Sequence, residues 1–192
     1  MHARLSALLV AVGAVAAVAG CGESTAFRAQ FPNDVLIAGL YAMNGTPASL
    51  PSAVSVRARS LVRIDPTFAF DIAFDMDDFG NVTVYSARRV AGELSSVNRV
   101  GFQVDLLRTF DQITKAPTSG FAYDSALVLP VGQVLLIDVV DPSCQGQSFL
   151  GFNIRAKLMI DSVDAARRKL YFRMLSNPNC GFRSLVAGIP KE

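Results

Sequence analysis

Apolar and polar residues alternate along several stretches of the chain, the pattern of strands with one buried face. In residues 68–76 the apolar side chains Phe, Phe, Ile, Phe and Met take the even positions, and Ala or Asp separates them. Asp78-Phe79-Gly80 predicts a turn, and Val82, Val84 and Val90 predict a return strand. The first part of the chain therefore predicts a β-hairpin.

The faces of this hairpin fix its register. Pairing Asp77 with Asn81 places Met76 opposite Val82, so that apolar side chains of both strands share one face. A shift by one residue would mix the two faces. A three-residue loop with Gly80 in the left-handed conformation suits a type I turn followed by a bulge.

Further strands follow the same logic. Val100, Phe102, Val104 and Leu106 alternate with other residues, and residues 134–140 form an apolar run that only Asp138 interrupts, which predicts a deeply buried strand. Residues 106–114 fit either a short helix or a strand and turn.

A second hairpin is predicted without a defined register. Its apolar face takes residues from both strands: Ile154, Ala156, Leu158, Ile160, Leu170, Phe172 and Met174. Its other face has Arg155, Lys157, Asp161, Lys169, Tyr171 and Arg173.

These elements predict a mostly β protein, an antiparallel β-sandwich or a barrel-like domain. Residues 35–190 contain no internal repeat or boundary that would divide them. Near residues 117–120 the chain splits into two halves, and we expect each half to form one sheet.

The N-terminus has a different pattern. Arg4 precedes an apolar run over residues 5–19 that is too short for an ordinary membrane span of about 20 residues and ends in small side chains. We interpret it as a secretory signal. An uncleaved membrane anchor is the alternative.

The residues that end this run are Val18-Ala19-Gly20-Cys21. They resemble the lipobox of bacterial lipoprotein precursors, a resemblance confined to this segment. It implies cleavage between Gly20 and Cys21, a diacylglycerol on the Cys21 thiol and an acyl chain such as palmitate on the new amine. In bacterial lipoproteins, an Asp directly after the lipidated Cys commonly retains the protein in the inner membrane. This chain has Gly22 at that position, which implies delivery to the outer membrane, on its periplasmic side or at the cell surface. The alternative is an ordinary secreted protein in which Cys21 has no role.

The predicted organisation is a signal peptide over 1–20, a lipidated N-terminus and tether over 21–34, and one β-rich domain over 35–192. Fully extended, such a tether reaches about 40 Å from the bilayer. Removing Cys21 from the three cysteines leaves Cys144 and Cys180, both in turn-like settings. In an oxidising compartment this pair predicts a disulfide.

Composition narrows the chemistry. The net charge is only +2, so there is no basic stripe for nucleic acid. The single histidine is His2, inside the predicted signal, so the mature chain lacks the imidazole that most serine, cysteine and zinc hydrolases use. The chain has no Trp. We expect no cofactor.

The remaining candidate chemistry is a cluster of aspartates. Asp71, Asp75 and Asp77 are weak candidates for an Asp-based hydrolase, but alternation predicts them on one exposed face, with Asp71 near Arg89. Asp75, Asp77, Asp78 and Asn81 form a weak Ca²⁺ candidate, because the spacing fails as an EF-hand loop.

The three basic residues 167–169 predict a solvated turn. The leading hypothesis is therefore a membrane-anchored lipoprotein of the cell envelope with a non-catalytic binding or structural role and no catalytic residues. Its partners would be the membrane, through Cys21, and an unidentified protein or small molecule. The alternatives are the Asp-based hydrolase and a carrier that holds an apolar ligand in a barrel or sandwich cavity.

Overall fold

A computed structural model describes residues 28–67, 69–92, 98–148 and 150–190. These residues form eleven strands, one short helix α1 (Ala87–Ala91) and one 3-10 turn (Pro142–Cys144). The strands are β1 (Asp34–Tyr41), β2 (Ala53–Ser55), β3 (Ser60–Val62), β4 (Ile72–Met76), β5 (Val82–Ser86), β6 (Arg99–Asp105), β7 (Ala122–Tyr123), β8 (Ala126–Val128), β9 (Val134–Val140), β10 (Asn153–Asp164) and β11 (Lys169–Asn177).

The strands pair into two antiparallel sheets that pack face to face. One has six strands in the order β1-β11-β10-β9-β6-β7, and the other has five in the order β3-β2-β4-β5-β8. The mostly β fold class is confirmed, and it is the sandwich form, since two separate sheets enclose the main core. Phe74 and Phe172, one from each sheet, stack in that core with their ring centroids 6.0 Å apart.

The expectation of one sheet for each half of the chain is wrong. The N-terminal strand β1 pairs with β11 near the other end of the sequence, and β8 from the second half pairs with β5. The physical reason is that alternation marks which face of a strand is buried, and both sheets bury the same kind of face.

The first hairpin has the predicted register. Met76 pairs with Val82 and Phe74 with Val84, and Gly80 has a φ of +83° at the turn. Its extent differs, however: β4 begins at Ile72, and Phe68 lies outside the described residues. The predicted return strand through Val90 is wrong beyond Ser86.

Ser86 ends the return strand because it caps a helix. Its hydroxyl accepts a hydrogen bond from the backbone N–H of Arg89, and Gly92 at a φ of +75° follows the helix. Helix α1 packs through Ala87 onto Ala73, which belongs to the face of β4 predicted to be exposed. That face is therefore a second, smaller core.

Strand β9 is buried on both faces, as its apolar run predicts. Leu135 and Ile137 enter the core between the sheets, while Val134 and Leu136 pack on the outer face beneath Phe110 and its neighbours. Of the two alternatives for residues 106–114, the structure has the turns: β6 ends at Asp105, and this described segment contains no helix. This loop thus covers the part of the outer face of the six-stranded sheet around Val134, Leu136 and Leu175.

The second hairpin pairs β10 with β11, and the register shifts between Ile160 and Ser162. Its two faces have the predicted composition, but the polar face is partly buried. Lys157 donates hydrogen bonds to the carbonyls of Phe110 (2.6 Å) and Ile113 (2.8 Å), and burial lowers its pKa. The Lys157 ammonium thereby holds the covering loop against the sheet.

A second polar group lies on the same face around Asp138. Its carboxylate forms an ion pair with Arg155 and accepts hydrogen bonds from Asn153 (2.8 Å) and the Tyr123 hydroxyl. Burial and this carboxylate raise the pKa of Tyr123 to about 12. These partners offset the desolvation of the buried Asp138 carboxylate, which allows it to interrupt the apolar run of β9.

Candidate functional site

A cleft of about 680 Å³ opens at one end of the sandwich. Strands β1, β4 and β6 begin at this end, and β2, β9 and β11 end there. Its walls therefore come from both sheets: Ser55 and Asp71 belong to the five-stranded side, and Asn98, Asp141 and Pro178 to the six-stranded side. Phe31, just before β1, also lines it.

The predicted disulfide between Cys144 and Cys180 is present beside the cleft, with the two Cα atoms 5.5 Å apart. It joins the 3-10 turn after β9 to the loop after β11, and these two segments supply Asp141 and Pro178 to the wall. The bridge therefore fixes one wall of the cleft.

The opposite wall is tied to this one by an ion pair. Arg57, in the turn between β2 and β3, lies 2.8 Å from the carboxylate of Asp141 and also donates to the hydroxyl of Ser143. Burial alone would raise the pKa of Asp141, but hydrogen bonds from Ser143 and Arg57 outweigh it and lower that pKa. Asp141 is thus held as a carboxylate.

Asp71 has the opposite environment. It is only 3% exposed, and its carboxylate accepts hydrogen bonds from the Val56 N–H (2.6 Å) and the Asn98 side chain (2.9 Å). Burial raises its pKa more than those bonds lower it, and the nearby charge of Asp141 adds to the rise. The cleft therefore contains two carboxyl groups whose pKa values are shifted in opposite directions.

The prediction that Asp71 lies on an exposed face is wrong, and the donors to its carboxylate are Val56 and Asn98. Asp71 precedes β4, and the turn after β2 folds over its carboxylate through Val56. The sequence analysis also missed Arg57 and Asp141. Asp141-Pro142-Ser143 carries a usable signal, since Asp followed by Pro favours a turn that the Asp side chain caps. Arg57 has no comparable local signal.

The other predicted acids lie at the opposite end of β4. Asp71 precedes this strand and Asp77 follows it, which separates them by about 20 Å at 3.3 Å per residue. The Asp75 carboxylate accepts from the Asn44 N–H (3.2 Å) and lies 3.6 Å from Arg168. The three candidates Asp71, Asp75 and Asp77 are therefore not brought together.

The candidate Ca²⁺ ligands mainly stabilise the hairpin turn. Asp77 accepts hydrogen bonds from the Asn81 side chain (2.7 Å) and from the backbone N–H groups of Phe79 and Asn81, and these bonds lower its pKa. The Asp78 side chain is 98% exposed. Within the described ranges, no group of three or more His, Cys, Asp or Glu side chains is placed to hold a metal.

The basic turn at residues 167–169 is not simply solvated. Arg168 donates to the carbonyls of Asn44 (2.8 Å) and Met76, and it also forms ion pairs with Asp75 and Asp78. The prediction failed there because Arg168, at a φ of +50°, turns back across the sandwich toward the first hairpin. It joins the two hairpin tips.

The predicted lipidation and cleavage residues, Cys21 and Gly20, lie outside the described residues. The described end of the predicted tether contacts the domain: the N–H groups of Gln30 and Phe31 donate to the Asn179 side chain at 2.7 and 3.0 Å. No helix in the described part of the chain has the length and apolar character needed to cross a membrane.

Comparison of this chain with protein-family models, curated proteins and solved structures found no match.

Proposed function

We propose that this protein is a lipid-anchored protein of the cell envelope whose sandwich binds a ligand in the end cleft, without catalysis. The observation that carries the proposal is the cleft itself, built from both sheets and braced by the Cys144–Cys180 bridge and the Arg57–Asp141 ion pair. The cleft is concave and combines polar groups held in place by protein partners with apolar side chains such as Phe31 and Phe70. Concave sites with positioned polar groups are where small ligands bind.

The proposed cellular location follows from the lipobox-like residues 18–21. Cys21 would carry the diacylglycerol, with a further acyl chain such as palmitate on its amine, and several acyl chains make a durable anchor. Gly22 favours the outer membrane, on its periplasmic side or at the cell surface. A disulfide between the two other cysteines supports an oxidising compartment.

The charges around the cleft favour an uncharged polar ligand. Arg57 is paired with Asp141, and Arg59 is paired with Asp34 at 2.9 Å, so both guanidinium groups already have counter-ions. Asn98 and Ser55 add neutral polar groups, while the ring of Phe31 offers an apolar surface. Hydroxyl-rich compounds such as sugars combine polar edges with apolar faces and match this wall chemistry.

Saturation-transfer NMR with glucose, N-acetylglucosamine and its β-1,4-linked dimer tests the binding proposal, with glucose 6-phosphate as the charged comparison. Signal is expected for at least one neutral sugar and is expected to weaken in Arg57→Gln. Arg167→Gln, an exposed arginine at a hairpin tip, is the matched control. Absence of transfer to every neutral sugar, or equal transfer with Arg57→Gln, would contradict sugar binding in the cleft.

An Asp-based hydrolase is the second candidate, and one observation favours it. Asp71 and Asp141 line the same cleft with pKa values raised and lowered respectively, the arrangement that separates an acid from a base. Both carboxylates, however, are engaged by protein donors, including the Val56 N–H and the Ser143 N–H. Turnover of a β-1,4-linked sugar that Asp71→Asn and Asp141→Asn both abolish would establish the hydrolase.

The carrier alternative gains no support from the packing. Side chains of both sheets, including Phe74 and Phe172, fill the space between them where an apolar ligand would lie. The cleft lies at the end of the sandwich and has charged residues in its wall.

A further inference from the structure

An apolar face surrounds the point where the chain reaches the sandwich. Ile37 is 75% exposed, and Val35, Val186 and Ile189 are each exposed by roughly half. We call these four residues, with the half-exposed Tyr171, the tether-side face. On the same side of the sheet, Arg173 lies opposite Ile37 and is ion-paired with Asp161, so its charge has a counter-ion. A cluster of exposed apolar residues on one side of a sheet is the kind of surface that meets a membrane or a partner.

Strand geometry places the β1 residues together. Leu36 and Ala38 pack toward the core between the sheets, so Val35 and Ile37 point to the outer side. Tyr171 of the neighbouring strand β11 lies opposite Gly39 and shares that side. Because β1 is the last strand of the six-stranded sheet, this face extends to the edge of the sheet.

Asn33 joins the C-terminal segment to this face. Its backbone pairs with Gly188 through two hydrogen bonds of 2.8 and 2.9 Å, and its side chain donates to the carbonyls of Ser184 and Val186 at 3.0 Å. Val186 and Ile189, on either side of Gly188, are therefore held beside the start of β1.

The length of chain before this point determines what can cover the face. Only seven residue steps separate Cys21 from Arg28, and they span at most about 25 Å. A lipid on Cys21 would hold the bilayer within that distance, at a high effective concentration, so a small apolar face suffices for contact. The Lys169 ammonium lies 5.3 Å from the ring centre of Tyr41 and 4.8 Å from that of Tyr171, an amphipathic grouping suited to a lipid–water interface.

We propose that the tether-side face rests on the bilayer that holds the Cys21 lipid, which orients the sandwich on the membrane. This inference depends on the proposed lipidation. Phe31, four residues before Val35, lines the cleft, so docking places the mouth of the cleft beside the bilayer.

The absence of Trp from the chain provides a direct test. Ile37→Trp adds a single reporter to the tether-side face, and Ile189→Trp adds one from the C-terminal segment. Val128→Trp is the matched control, since Val128 is 58% exposed on β8, the edge strand of the other sheet. Each lipidated variant is purified from membranes and placed in phosphatidylcholine–phosphatidylglycerol vesicles that carry bromine on the acyl chains.

Quenching by bromine is expected to reduce the emission of Ile37→Trp and Ile189→Trp by about twofold or more, with a blue shift, and to leave Val128→Trp unchanged. Vesicle-bound protein with no quenching at either position would overturn the docking while leaving the anchor intact. A blue shift without quenching, together with a doubled mass in detergent, would assign the face to a second copy and also overturn it. Protein without acyl mass that fails to sediment with vesicles would overturn the anchor, and the docking with it.

Discussion

The guanidinium of Arg57 lies 2.8 Å from the carboxylate of Asp141 and joins the two sheets of the sandwich across the end cleft. The two residues are 84 positions apart in the sequence. Arg57 comes from the turn after β2, and Asp141 follows β9 beside the disulfide. This ion pair makes the cleft a braced site rather than a gap between loops.

A double-mutant cycle on this pair measures the brace. Arg57→Gln and Asp141→Asn should each lower the free energy of unfolding by about 1–2 kcal/mol, because a charge-assisted hydrogen bond is lost at a half-buried site. Their coupling energy should be near 1 kcal/mol by urea denaturation. The Arg167–Asp164 pair, whose arginine side chain is 77% exposed, is the control and should show almost none. Equal coupling in the two pairs would contradict the assigned brace.

The two carboxyl groups of the cleft predict opposite pH effects. Folding raises the pKa of Asp71, so the native state holds that proton more tightly, and this group's contribution to stability falls as pH rises above about 4. Folding lowers the pKa of Asp141, so its contribution is present above about pH 4 and is lost as pH falls through the folded pKa.

Urea denaturation across pH tests this pair of effects. Asp71→Asn should remove a destabilisation that grows toward neutral pH, so the difference from wild type should depend on pH. Asp141→Asn should lose stability at neutral pH and approach wild type in acid. Asp78→Asn, at an exposed site, is the control. If the free energy of unfolding changes with pH in the same way for wild type and Asp71→Asn, the burial of Asp71 is misassigned.

Removing the bridge should cost stability and loosen the cleft. The Cys144–Cys180 disulfide closes a loop of 36 residues, so the Cys144→Ala/Cys180→Ala double variant should lose about 3–4 kcal/mol. Denaturation with and without a reductant measures this loss. The reductant should destabilise wild type by a similar amount and leave the double variant unaffected. A stability that responds to neither change would rule out a structural role for the bridge.

Lys157 should support the loop that covers the outer face of the six-stranded sheet. Lys157→Met removes the donor to the carbonyls of Phe110 and Ile113, and about 2–3 kcal/mol should be lost because two buried acceptors are left without it. Hydrogen exchange should rise within residues 106–116. Arg167→Met, at the exposed tip of the hairpin between β10 and β11, is the control. A stable variant with unchanged exchange would show that apolar packing alone holds the loop.

The pattern of apolar and polar residues predicted the parts of this fold that depend on residues close together in the sequence. The period of two, together with Gly80, fixed the register of the first hairpin, and the uninterrupted apolar run marked β9 as buried on both faces. Setting Cys21 aside leaves one pair of cysteines, and the expected oxidising compartment predicted that this pair forms the Cys144–Cys180 bridge. Each of these predictions depends either on residues that are neighbours in the sequence or on the single available pair of cysteines.

The cleft was not predictable in the same way. Asp71 looks like one more outward residue of an alternating strand, and only the turn through Val56 and the side chain of Asn98 bury it. Arg57 meets a partner 84 residues away, a distance that no local pattern encodes. Alternation likewise cannot assign β1 to β11, since strand partners depend on packing between distant segments.

Intact-mass analysis of the membrane fraction tests the proposed anchor most directly. Wild type should lack residues 1–20, carry diacylglycerol and acyl mass, and remain with membranes after a salt wash. Cys21→Ala should retain its leader and carry no lipid mass. An identical mass for the two proteins apart from the substitution itself, with the leader still attached to wild type, would contradict the account.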